Sequence, residues 1–144
     1  MRNRTCTIYT DGGARGNPGP SAAGGIIIGE DASTVAEISA YLGTATNNVA
    51  EYQALLLALA RARELGCERV SIRMDSELIV RQLNGSYRVK DTKMRELYGR
   101  VQKVLRGFAA WDVSHVPRSE NKRADELVNA VLDARERSLR EVQQ

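Results

Sequence analysis

Residues 46–76, TNNVAEYQALLLALARARELGCERVSIRMDS, change their hydrophobic period partway along, and that change sets the fold. From Val49 to Leu65 the chain is built mostly of Ala, Leu, Glu, Gln and Arg, which are strong helix formers. Tyr52, Leu55, Leu56, Leu59 and Ala62 recur at helical spacing. Thr46-Asn47-Asn48 offers cap residues, of which Asn47 or Asn48 could satisfy first-turn amides, and Gly66 is placed to stop the last turn. From Cys67 the period falls to two: Val70, Ile72 and Met74 share one face of a strand that ends at Asp75. A strand, a helix and a second strand in succession predict a crossover packed against a sheet.

Upstream, residues 4–10 (RTCTIYT) read as a strand ending at Asp11-Gly12-Gly13. Residues 12–21 (GGARGNPGPS) read as a Gly/Pro-rich turn. Two further strands are expected, at 22–30 (AAGGIIIGE) and 33–42 (STVAEISAYL). Their short links favour an antiparallel meander. Downstream, 76–83 (SELIVRQL) predicts a short helix and 86–93 a polar link. Met94, Leu97, Tyr98, Val101, Val104 and Leu105 then mark a helix over about 92–106. Residues 109–116 (AAWDVSHV) read as the last strand and 122–140 as the last helix, with the tail beyond Arg137 expected to fray. The order is β-β-β-α-β-α-α-β-α. An α/β chain of 144 residues suits one domain, 1–144.

Composition narrows the function less than it narrows the fold. Apolar residues form 42% and charged residues 27% of the chain, the balance of an ordinary globular protein. A net charge of +3 permits nucleic-acid binding without arguing for it. The positive charge is local, however. Between residues 81 and 106, eight Lys and Arg stand against only Asp91 and Glu96. Cys6 and Cys67 are too few for a disulfide scaffold and lack zinc spacing, so free, buried thiols are expected. MRNRTCTIYTD has no signal-peptide core, and no apolar run approaches the ~18 residues of a membrane span. A cytoplasmic monomer is the expectation.

Four carboxylates occupy telling positions. Asp11 and Asp75 end two strands, and in open α/β sheets ligands gather beyond the carboxyl ends of strands. Glu51 and Asp125 lie early in two helices. Singly, each has an ordinary explanation: a turn at Asp11, a helix cap at Asp75, a solvated face at Glu51, surface pairing at Asp125. Jointly, they describe a cluster whose like charges need cations to coexist. An all-oxygen donor set without a Cys or His crowd points to Mg²⁺ or Mn²⁺.

The chain resembles the ribonuclease HI family along YTDGGARGNPGPSAAGG (9–25), TNNVAEYQALLLAL (46–59), IRMDSELIVRQLNG (72–85) and HVPRSENKRADELVNAV (115–131). The resemblance implies a ribonuclease H-like fold: a five-stranded mixed sheet, three antiparallel strands then parallel ones, flanked by helices. It makes Asp11, Glu51, Asp75 and Asp125 the ligands of two Mg²⁺ ions, with Mn²⁺ as a substitute. It implies endonucleolytic hydrolysis of the RNA strand of RNA–DNA hybrids, leaving 5′-phosphate and 3′-hydroxyl ends. His115, ten residues before Asp125, matches the family's loop histidine and is expected to assist proton transfer or product release. Gly12, Asn17, Thr46, Asn47, Asn48 and Glu77 match substrate contacts, and amides there can read a 2′-hydroxyl.

Two departures stand out. Glu77 replaces a glutamine usual in familiar bacterial members, and an ionised carboxylate cannot donate a hydrogen bond. The link GSYRVKDTK (85–93) is too short for the basic protrusion of those members. The chain thus resembles a short form, some of whose members accept double-stranded RNA, which becomes a second expected partner. The alternative left open is a non-catalytic or differently specific nucleic-acid-binding domain of the same fold.

Overall fold

A computed structural model describes residues 4–142. Strand β1 (Arg4–Ala14) pairs antiparallel with β2 (Gly19–Ile28), and β2 pairs antiparallel with β3 (Thr34–Ala45). Helix α1 (Asn47–Glu64) crosses over to β4 (Cys67–Met74), which lies parallel to β1 on its other side. Helices α2 (Glu77–Leu83) and α3 (Thr92–Leu105) lead to β5 (Ala110–His115), parallel to β4. A 3₁₀ turn (Arg118–Glu120) precedes α4 (Lys122–Val142). The sheet order is β3-β2-β1-β4-β5, the mixed five-stranded sheet that the sequence led us to expect.

Helices cover both faces, because successive strand residues point to opposite sides. Cys6, Ile8, Ile27, Val70 and Ile72 pack under Tyr52, Leu55 and Leu59 of α1. Burial of such side chains contributes about 1.5–3 kcal/mol each. The opposite face is thinner: Ala22 meets Val128 and Leu132 of α4. Here α4 lies so close that a Cβ at Gly24 would collide with the carbonyl of Ala124, one residue before Asp125. Alanine and glycine on β2 therefore set how deeply α4 seats.

Several expectations are corrected. The Gly/Pro-rich turn occupies only residues 15–18, since Asp11, Gly12 and Gly13 pair with Gly24, Ala23 and Ala22 inside the sheet. Glycine there serves close packing, not a turn. The cap of α1 is Thr46, whose hydroxyl accepts from Val49 N–H, and neither Asn47 nor Asn48 fills that role. Helix α4 holds its form through Val142 instead of fraying after Arg137. Cys6 and Cys67 are buried but joined in a disulfide, with Cα atoms 6.0 Å apart. Parallel pairing of β1 with β4 brings them together, which a separation of 61 residues concealed. Among the described residues, no helix is long and apolar enough to cross a membrane.

Candidate metal centre

The pairing of β1 with β4 places Thr10 opposite Met74, so Asp11 and Asp75 leave the same end of the sheet side by side. Glu51 comes from the second turn of α1, one residue after the Ala50 backbone that packs on Gly12. One carboxylate oxygen from each of Asp11, Glu51 and Asp75 lies within 4.8 Å of the others. Asp125, in the first turn of α4, lines the same cleft of about 400 Å³. Asn129 donates to the Asp125 carboxylate at 3.3 Å, one turn further along α4.

Burial and mutual repulsion make this cluster expensive without a counter-ion. Glu51 is only 8% exposed and Asp11 9%. Burial first, then the charges of Asp75 and Asp125, push the Asp11 carboxyl up to about 8. Glu51 is raised well above the ordinary range by burial and by Asp11 and Asp75, against weaker help from the Gly12 N–H and Arg118. The Oε1 atom of Glu51 is buried with no hydrogen-bond partner. An orphaned, buried carboxylate oxygen beside two more carboxylates fits a hard divalent cation, which would satisfy the oxygen and offset the repulsion together.

The residues around the cluster are arranged as a relay. The Asn17 side-chain oxygen accepts from Asn47 N–H at 2.9 Å, and the Asn47 side-chain oxygen accepts from Ala14 N–H at 2.8 Å. Both amides thereby engage their oxygens on backbone N–H groups, and the NH₂ groups that remain can only donate. Thr46 and Asn48 line a neighbouring hollow with Asn17 and Lys93. Glu77 is committed to an exposed ion pair with Arg81 at 3.3 Å. His115 lies exposed at the end of β5, opposite Met74 and therefore beside the Asp75 strand end, but it does not line the carboxylate cleft.

Arg118 was not singled out by the sequence. It lines the cleft and lowers the cost of charge on Glu51, from a turn only three residues beyond His115. An arginine between a strand and a helix carries no periodic signal. Only its proximity to the four carboxylates marks it.

Residues 9–131 match a protein-family model described as "Reverse transcriptase-like". Ribonuclease HI of Halobacterium salinarum is 44% identical over 125 residues, covering 87% of this chain and 63% of that protein. A bifunctional protein of Mycobacterium tuberculosis is 42% identical over 128 residues, 88% of this chain and 35% of that one. The chain thus spans less than two thirds of these relatives. The crystal structure of the Halobacterium salinarum RNase H1 superposes with a TM-score of 0.89 at 42% identity, over 90% of this chain and 98% of that one. LC11-RNase H1, a protein isolated from compost by a metagenomic approach, was solved in complex with an RNA/DNA hybrid. It matches with a TM-score of 0.83 at 46% identity, over 87% of this chain and 94% of that one.

Proposed function

The chain belongs to the ribonuclease HI family, and from that premise we propose that it is a ribonuclease H, a metal-dependent endonuclease that hydrolyses the RNA strand of RNA–DNA hybrids. The convergence of Asp11, Glu51 and Asp75, each offering an oxygen within 4.8 Å of the others, carries the reading. Asp125 completes the donor set from α4. Asp11, Glu51 and Asp75 would hold one ion, and Asp11 and Asp125 a second. Mg²⁺ is the proposed ion and Mn²⁺ its substitute. Divalent ions held there would supply the Lewis acidity for hydrolysis of an RNA phosphodiester, with 5′-phosphate and 3′-hydroxyl ends as the proposed products.

The chain's own residues do the rest. The carboxylates fix where charge can be neutralised. Asn17 and Asn47, with their oxygens engaged, present donors along one rim, where a 2′-hydroxyl and the acceptors of a minor groove would lie. Gly12 contributes backbone to the same cleft, its missing side chain making room for α1. Thr46 and Asn48, beside Lys93, suit a phosphate. His115 accepts or delivers a proton at the exposed end of β5, from the far side of Asp75. Glu77 is a weaker candidate contact, because Arg81 already occupies its carboxylate. The eight-residue link between α2 and α3, residues 84–91, supports reading the chain as a short form without the basic protrusion. Arg88, Lys90, Lys93 and Arg95 then supply the positive field for a DNA backbone. Sequence is not read, since the proposed contacts fall on backbone, sugar and the minor-groove acceptors, whose pattern is degenerate between base pairs.

The test is Mg²⁺-dependent cleavage of matched duplexes: RNA–DNA hybrid, double-stranded RNA and double-stranded DNA. Cleavage of the hybrid, confined to its RNA strand, is expected, with slower cutting of double-stranded RNA. Tight hybrid binding without cleavage at any Mg²⁺ or Mn²⁺ concentration would favour the non-catalytic binding domain.

A further inference from the structure

Asn121 sits where the ends of the ligand-bearing elements meet. It is 1% exposed, at the junction between the 3₁₀ turn and α4. Its side-chain NH₂ donates to the Thr10 carbonyl at 2.9 Å and to Asp75 Oδ2 at 3.2 Å. Its own backbone carbonyl accepts from Asp125 N–H at 3.2 Å. One residue therefore touches the strand residue before Asp11, the carboxylate of Asp75 and the backbone of Asp125.

We propose that Asn121 is a positioning residue of the metal centre, locking the Asp75 carboxylate against the end of β1 so that Asp11 and Asp75 keep their spacing before any ion arrives. The proposal rests on the metal-centre reading above. The amide orientation is dictated by its neighbours: flipping it would set the side-chain oxygen against two acceptors. The cost of this arrangement is visible, because Asn121 Oδ1 is buried without a hydrogen-bond partner. An unmade bond of this kind is unfavourable. A residue chosen for packing would be apolar here. The polar amide persists because it holds two oxygens at once. A hydrogen bond to a ligating carboxylate fixes its rotation, and losing such a partner typically weakens ion binding by about 10–100-fold.

The test measures Mn²⁺ and Mg²⁺ binding to the substrate-free protein by titration calorimetry, for wild type and Asn121→Ser, beside thermal melts of both. We expect the variant to fold, to bind either ion at least about tenfold more weakly, and to recover kcat on hybrid when Mg²⁺ is raised. A folded variant with wild-type ion affinity overturns the positioning role. If Asn121→Ser is unfolded at the assay temperature, the wild-type protein decides. The side-chain amide resonances of Asn121 should shift during a Mg²⁺ titration with the same midpoint as ion uptake, and resonances that stay fixed overturn the proposal. A wild-type protein that binds no divalent ion defeats the metal-centre reading itself, an outcome distinct from a wild type that binds and an Asn121→Ser that binds equally well.

Discussion

A side chain on Gly12 would run into the backbone carbonyl of Ala50, so β1 and α1 meet backbone to backbone one residue away from Asp11 and Glu51. The approach of these two carboxylates follows from the absence of one methyl group. Gly12→Ala should push α1 outward, destabilise the fold by about 1–3 kcal/mol and lower divalent-ion affinity. Melting and ion-binding curves together check this. A variant with altered stability but unchanged ion binding would break the link between glycine and metal centre.

Asp11→Asn removes a carboxylate that is costly in the metal-free protein and that, on the proposed reading, the ions require. Cleavage should fall to background at any Mg²⁺ concentration. The metal-free variant should melt higher than metal-free wild type at alkaline pH, because the repulsion with Asp75 and Asp125 is gone. Wild type should gain stability from Mg²⁺, and the variant should gain far less. Near-wild-type cleavage by Asp11→Asn would refute the role assigned to Asp11.

The pH dependence has a definite sign. Asp11 is raised from 3.8 to about 8, so between those values the folded, metal-free protein holds a proton that the unfolded chain has lost. Stability of the metal-free protein should therefore decline as pH climbs from about 4 to beyond 8. Ion uptake within that window must displace the proton. Calorimetry in buffers of different ionisation enthalpy should detect its release near pH 7 and lose it above about pH 9. Buffer-independent heats at pH 7 would contradict the raised value.

The Cys6–Cys67 bridge closes a loop that contains both Asp11 and Glu51. Loop-closure entropy for this separation corresponds to about 4 kcal/mol, or a Tm change on the order of 10 °C for a chain of this size. Reduction, or Cys67→Ala, should lower Tm by up to that amount. Cleavage well below Tm should be retained, because the bridge lies at the opposite end of β1 and β4 from the carboxylates. A reductant-insensitive Tm would argue against the bridge in solution.

Arg118→Ala separates charge from coordination. Loss of the guanidinium removes a positive charge facing Glu51, so ion affinity should hold or tighten while catalysis weakens. We expect kcat/KM on hybrid to drop about tenfold, equivalent to ~1.4 kcal/mol. A parallel loss of ion binding would instead make Arg118 a support of the carboxylate cluster.

The sequence by itself determined the element types, because the switch from helical period at Tyr52–Ala62 to alternation at Val70–Met74 reports burial directly, and burial drives the fold. It also determined which carboxylates to watch, since motif spacing identifies Asp11, Glu51, Asp75 and Asp125 without coordinates. Tertiary structure alone decided how they meet. The register of β1 on β4 sets Asp11 beside Asp75 and brings Cys6 to Cys67, and that of β5 on β4 leaves His115 outside the cleft that Arg118 enters. The strand character of Asp11-Gly12-Gly13, the relay from Asn17 through Asn47 to Ala14, and the bridge from Asn121 to Thr10 and Asp75 are likewise invisible in the chain. The relay and the Asn121 bridge are contacts between residues 30 to 111 positions apart, and no local pattern encodes a distance that only the packing of separate elements creates.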